Sequence, residues 1–73
     1  PSTNIVFYLP EKGNVQLEVF NQLGQKVNTL LNSEKSAGKH NIQFNAENLS
    51  SGVYYYRLSA GDFIQTKKMI LMR

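Results

Sequence analysis

Few side chains in this sequence are of a kind that performs acid–base or nucleophilic chemistry. The chain of 73 residues has one histidine, His40, no cysteine and five carboxylates. Nucleophilic catalysis needs a nucleophile beside a base, and a metal site needs several ligands at suitable spacing; neither pattern occurs. A phosphate-binding glycine loop is absent too. We therefore expect no enzyme activity, no cofactor and no metal, and we interpret His40, in phase with Ile42 and Phe44, as a residue at the rim of a sheet.

Three consecutive tyrosines, Tyr54, Tyr55 and Tyr56, allow two interpretations, an aromatic platform for a sugar or packing in the core. Because neighbours along a strand point to opposite faces, either Tyr54 and Tyr56 or Tyr55 alone would share a surface. We favour core packing, since a tyrosine buries a large apolar body while its hydroxyl stays near water.

The positive charge of the chain is concentrated at its end. Residues 1–62 carry five bases and five acids, so the net charge of +3 comes from the last eleven residues, which hold Lys67, Lys68 and Arg73 and no acid. Nucleic-acid-binding domains more often show a larger basic face with interleaved aromatics, so we expect no nucleic-acid partner. The longest apolar run, residues 5–9, is far shorter than the roughly 20 residues of a membrane-spanning helix.

The elements that must position these residues are short strands. Runs rich in Val, Ile, Thr, Tyr and Phe, separated by turn signals, predict a single all-β domain, an antiparallel β-sandwich of six or seven short strands. Alternation of apolar and polar residues sets the face that each strand turns inward. The predicted core includes Ile5, Phe7, Leu9, Val15, Leu17, Val19, Ile42, Phe44 and Tyr54.

The first half of the chain predicts three strands in a meander. We expect the third strand at residues 26–31, with Val27 and one of Leu30 or Leu31 inside. The polar residues 32–38 are too few and too poor in apolar side chains for a helix, so they predict a loop.

The second half predicts a central strand at residues 53–58, which is strongly β-prone. Residues 63–72 complete the chain as a hairpin partner of that strand, and blurred alternation around residues 67–69 predicts a β-bulge there. In the connection at residues 45–52, Leu49 is the large apolar residue that we expect to close one end of the sandwich.

Motifs along nearly the whole chain resemble the C-terminal sorting domains of type IX secretion. They occur in the family's order: IVFYLP at 5–10, VQLEVFN at 15–21 with LGQKV at 23–27, AGKH at 37–40, LSSGVYYYRL at 49–58 and TKKMIL at 66–71. The Ser-Gly-Val-Tyr strand and the lysine-rich, apolar last strand are the most specific of these. Such domains also resemble the immunoglobulin-like domain of the flagellar hook-capping protein.

The resemblance implies an immunoglobulin-like sandwich of seven strands that ends a larger secreted protein and is recognised by the outer-membrane type IX machinery. In many members a surface peptidase removes the domain and the cargo is attached to lipopolysaccharide. The domain would pass through the periplasm to the cell surface or medium as a monomer behind its N-terminal cargo. The recognised element would be Lys67, Lys68, Met69, Ile70, Leu71, Met72 and Arg73, and the family's structural motif falls on Gly24, Gly38, Gly52, Val53 and Tyr54.

Two departures from the family pattern are visible. Phe44-Asn45 stands where the family often has an aromatic residue followed by Asp, and the Pro-Asn-Pro-like run that often precedes the domain is absent, which we interpret as trimming. An alternative function is an accessory carbohydrate-binding or adhesive module of a surface enzyme. An alternative role for the two lysines is protection of an edge strand from aggregation.

Overall fold

The computed structural model describes residues 2–72, and its regular structure is entirely β. Within that range lie six strands, namely β1 (Ser2–Leu9), β2 (Gly13–Asn21), β3 (Lys26–Lys35), β4 (Gly38–Asn45), β5 (Gly52–Ala60) and β6 (Phe63–Leu71). They form two antiparallel sheets, with strand orders β1-β4 and β3-β2-β5-β6. The predicted immunoglobulin-like β-sandwich is confirmed with six strands between residues 2 and 72, one fewer than the resemblance implied. None of the described residues forms a helix long and apolar enough to cross a membrane.

The core lies between the two sheets and matches the predicted one closely. Ten apolar residues are buried: Ile5, Phe7, Leu9, Val15, Leu17, Val19, Phe44, Ala46, Tyr54 and Leu58. Ile42, predicted inside, is only half-buried but packs against this core, as does Leu49. Every second residue is a core residue over residues 5–9 of β1 and 15–19 of β2, because successive side chains of a strand point to opposite faces.

The predicted meander of the first three strands is wrong. β1 pairs with β4 over eight residues, with Ile5 opposite Ile42 and Phe7 opposite His40, while β2 pairs with β3 and β5. β1 and β2 each bury one face, and the sandwich sets these faces opposite each other across the core. The connection at residues 10–12 therefore passes from one sheet to the other instead of forming a hairpin.

β3 differs from its prediction in length and in register. It continues to Lys35, so most of the predicted loop is strand, because its polar residues pair with β2 at an exposed sheet edge that does not require apolar side chains. Leu30 and Val27 have no partner on β2, because each is the extra residue at one of two register shifts between β2 and β3. Val27 is consequently exposed rather than inside, and Leu30 and Leu31 are both half-buried against the core.

β5 is the central strand that the sequence predicts, but the bulge predicted in β6 is wrong. All nine residues of β6 pair with β5 in one unbroken register. The opposite sheet has only two strands, so it does not cover Gln65 and Lys67 on the core-facing side of β6. Polar residues therefore occur at these core-facing positions, and this blurs the alternation of apolar and polar residues in the sequence. A polar residue costs little at such a position.

Candidate functional site

Most of the predicted recognition element, residues 67–71, lies on an edge strand, and Met72 follows it directly. β6 is bonded to β5 on one side, and its other side carries no strand among residues 2–72. The hairpin turn at Gly61, where φ is +60°, leads directly into it. An unpaired edge presents a row of backbone N–H and C=O groups to which a further strand can bind.

The two lysines of the element lie on opposite faces of the sheet. Lys67 is paired with Tyr56, whose side chain packs against the core, so Lys67 is on the core-facing side. Lys68 is paired with Tyr55 on the outer face. Both lysines are exposed, and the ion pairs of the described chain include neither of them. A partner strand beside β6 would therefore meet positive charge on both of its faces.

The apolar residues of the element divide in the same way. Met69 and Leu71 pack against the core, whereas Ile70 is 65% exposed and Met72 is 81% exposed. Arg73 lies outside the described residues. The packed residues hold the end of β6 on the sandwich and the exposed ones leave apolar surface available for contact.

Exposed apolar surface is concentrated on this strand. Eight large hydrophobic residues are exposed in the part of the chain that the structure describes, and half of them belong to β6 or follow it directly: Phe63, Ile64, Ile70 and Met72. Single exposed apolar residues are normal on a protein surface, and these four lie at the two ends of β6, so each end offers apolar side chains to a partner that pairs with the strand. The edge thus combines free backbone groups, positive charge and apolar side chains.

β5 fixes the position of β6, and Tyr54 anchors β5. The Tyr54 hydroxyl donates a hydrogen bond of 2.8 Å to the carbonyl oxygen of Ser50, in the connection that enters the strand. This bond resembles the tyrosine corner of immunoglobulin-like folds, in which a tyrosine hydroxyl binds backbone a few residues upstream. Met69 lies opposite Tyr54. A buried, tethered Tyr54 therefore sets the place at which the end of β6 meets the core.

A family comparison identifies the domain. The family described as "Secretion system C-terminal sorting domain" matches residues 1–72. The chain belongs to this family of type IX sorting domains. No curated protein and no solved structure matches it. A sorting domain of this kind marks the protein that bears it for export to the cell surface or beyond, which agrees with the motifs of the last two strands.

The motif residues of the sorting domain lie at turns and on β5. Gly24 has a φ of 84° in the β2–β3 turn, a conformation that other residues adopt only at a cost, and its N–H donates to the Asn21 carbonyl at 3.0 Å. Gly38 begins β4, and Gly52 begins β5 directly before Val53. Gly24 and Gly38 lie apart from the exposed edge, whereas Gly52, Val53 and Tyr54 pair with the end of β6.

The tyrosine run of the sorting domain is mainly part of its core. Tyr54 is buried and Tyr56 packs partly against the core, so the predicted core packing is confirmed for Tyr54. A sugar platform formed by Tyr54 and Tyr56 is thereby ruled out, because both side chains face inward. Tyr55 is the one tyrosine of the run on the outer face, where it lies opposite Phe20.

Sequence reasoning missed a charged cluster on the outer face. Glu18 is buried. Its carboxylate accepts a hydrogen bond of 3.1 Å from Arg57 Nη2 and one of 3.2 Å from Lys26 Nζ. These bonds and the two positive charges hold the pKa of Glu18 below its ordinary value, with the Arg57 bond as the largest cause. Arg57 is 39 residues distant from Glu18 in the chain, so no local pattern in the sequence indicates the pair.

His40 has a packing role in the sorting domain. Its ring stacks on Phe7 with 5.4 Å between ring centroids, and its Nε2 lies 2.8 Å from the Ser36 carbonyl oxygen. Among residues 2–72, no cluster of His, Asp and Glu has the arrangement of a metal site.

Proposed function

We propose that this sorting domain directs an N-terminal cargo protein from the periplasm across the outer membrane through the type IX machinery. Residues 67–73 are the core of the recognised element, and the rest of the sandwich presents them. The domain acts by being bound rather than by catalysis. The observation that carries this proposal is that residues 67–71 form the end of an exposed edge strand on which apolar surface and positive charge are concentrated.

Strand addition is the mode of recognition that such an edge supports best. In this mode an extended segment of the receptor pairs with β6, backbone hydrogen bonds supply affinity, and side chains on alternate positions supply specificity. Because Lys67 and Lys68 lie on opposite faces, an acidic receptor surface would be attracted whichever face it approaches. The same charges oppose pairing of two β6 edges with each other, so the domain acts as a monomer.

Protection against aggregation explains only part of this arrangement. Inward-pointing or exposed lysines on an edge are a known device against unwanted pairing, and Lys67 fits that description. A strand that serves only to resist pairing gains nothing from exposed Ile64, Ile70 and Met72, which favour association. The apolar surface therefore supports recognition in addition to protection.

A reporter fusion tests the proposal. A fluorescent protein with a secretory signal peptide is fused in front of the domain and expressed in a bacterium that has the type IX machinery. Lys67→Glu with Lys68→Glu is compared with Lys35→Glu with Lys39→Glu, which changes the net charge equally, from +3 to −1, on β3 and β4. We expect the parent and the β3–β4 control to bring the reporter to the surface or medium, and the β6 variant to leave it in the periplasm.

Thermal melts of the purified domains separate recognition from folding. Lys39, Lys67 and Lys68 are exposed and Lys35 is half-buried at the end of β3. Charge changes at such surface positions usually alter stability by about 0.5 kcal/mol or less, so all three domains should unfold at similar temperatures. Export of the β6 variant at the parental level would assign the lysines to edge protection alone. Equal loss of export in both variants would show that net charge, and not β6, is recognised. Retention of the parent itself in the periplasm would overturn the proposed function.

A further inference from the structure

A row of aromatic and basic residues crosses the outer face of the four-stranded sheet. Lys26, Phe20, Tyr55 and Lys68 lie side by side on β3, β2, β5 and β6, each opposite its neighbour in the strand register. Phe20 and Tyr55 are half-buried, so part of each ring remains accessible. Lys68 also belongs to the proposed sorting element, whereas Lys26, Phe20 and Tyr55 lie on β3, β2 and β5, away from the free edge of β6.

Arg57 lies in the next row and is held in place on two sides. Its guanidinium carbon lies 4.8 Å from the centroid of the Phe20 ring, and its Nη2 donates to Glu18 at 3.1 Å. The hydrogen bonds given above use one of the five N–H donors of a guanidinium. Arg57 therefore offers further donors in a fixed position, which lowers the ordering cost of binding a ligand.

A depression of about 300 Å³ lies beside this arginine. Its walls are Phe20, Tyr55, Arg57 and Thr66, and the β2–β3 turn closes one side at Gln22 and Gly24. That volume is at the small end of the range for ligand pockets, roughly 300 to 1,000 Å³, so it suits one sugar ring better than a nucleotide.

The charge around the depression is positive. Glu18 balances one of its two cationic partners, Lys26 and Arg57, and Lys68 adds a charge outside these ion pairs. The net charge of these four residues is therefore +2. An anionic ligand is favoured over a neutral one, and the planar fork of an arginine matches a carboxylate in two parallel hydrogen bonds.

We propose that this depression binds a sugar ring that bears a carboxylate, a uronic acid unit. The apolar C–H face of the ring would lie against Tyr55 and the part of Phe20 that Arg57 leaves uncovered, Arg57 would bind the carboxylate, and the Thr66 hydroxyl would bind a ring hydroxyl. Of the residues used here only Lys68 also belongs to the sorting element, so a sorting domain without this depression would still be exported.

The test is a titration of the purified domain followed by NMR. Glucuronic acid is the probe, and methyl glucoside and inorganic phosphate are the comparisons. A ligand of this size in a shallow site is expected to bind with a Kd on the order of 1 mM. We expect glucuronic acid to shift the amide signals of Gly24, Arg57 and Thr66, with methyl glucoside at least about tenfold weaker.

Three variants assign the binding to the depression. Tyr55→Ala removes one aromatic wall, Arg57→Lys keeps the charge and loses the planar fork, and Tyr8→Ala removes an exposed tyrosine of β1 on the other sheet. The first two should weaken glucuronic acid binding at least about fivefold, and Tyr8→Ala should leave it unchanged. Because Arg57→Lys preserves the cation beside Glu18, it remains informative even where Tyr55→Ala fails to fold.

Three results would overturn the proposal. The first is the absence of shifts up to about ten times the expected Kd. The second is equal binding of phosphate and glucuronic acid, which would reduce the site to a simple attraction for anions. The third is unchanged binding in Arg57→Lys and Tyr55→Ala, which would place the sugar elsewhere.

Discussion

Leu17→Ala is the most direct test of the strand phase and of the sandwich. Leu17 is fully buried on β2, which is bonded on both sides, and it lies opposite Leu31 on β3 and Leu58 on β5. Leu→Ala substitutions in cores cost about 2 to 5 kcal/mol, and the cost is greater where the surroundings cannot collapse into the cavity. Because backbone ladders fix both neighbouring strands, we expect about 3 to 5 kcal/mol here.

That loss is large for so small a domain. Native stability of about 0.05 to 0.15 kcal/mol per residue gives this chain a total of about 4 to 11 kcal/mol. In domains of this size 1 kcal/mol corresponds to roughly 4 to 8 °C in melting temperature. The Leu17→Ala domain should therefore melt at least about 12 °C below the parent.

The same substitution elsewhere in the chain supplies the control. Leu23 is 84% exposed in the β2–β3 turn, so Leu23→Ala should alter stability by no more than about 0.5 kcal/mol. Circular dichroism melts and urea titrations of the three domains give the comparison, provided that the urea m-value is unchanged. If Leu17→Ala melted within about 4 °C of Leu23→Ala, Leu17 would not be in the core and the phase assigned to β2 would be refuted.

Three further predictions concern the polar and aromatic contacts. Glu18 has a folded-state pKa below its ordinary value of 4.5, so its ion pairs stabilise the fold above that pH and are lost as pH falls through the folded-state pKa. The melting-temperature gap between the parent and Glu18→Gln should thus shrink below about pH 4.5, and a constant gap in melts at several pH values would contradict this. Tyr54→Phe should lose about 0.5 to 1.5 kcal/mol with the bond to Ser50, measured by urea unfolding; an unchanged midpoint would remove that anchor. His40→Gln should leave calorimetric titrations with zinc as flat as those of the parent, whereas stoichiometric binding that disappears in the variant would reveal a metal site.

The failures of prediction share a physical cause, which is that sheet order is not a local property. Alternation assigns β1 and β2 their inward faces, but it does not say whether two such strands lie in the same sheet or face each other across the core. The pair of Glu18 and Arg57 joins strands that are neighbours only because β5 returns beside β2. Likewise, the polar end of β3 is strand because β2 provides a pairing partner there.

The sequence by itself determined the fold class, most of the core and the family. The alternation of side chains along a strand, the turn residues and the short motifs each depend only on residues that are close together in the chain. The sequence also located the charge excess at residues 67–73. The tertiary structure alone decided that β6 is an edge strand with concentrated apolar exposure, and that Tyr55 and Phe20 share the outer face with a buried carboxylate. The physical reason is that pairing and burial depend on which distant strands are brought together, and that choice is made by the free energy of the whole sandwich.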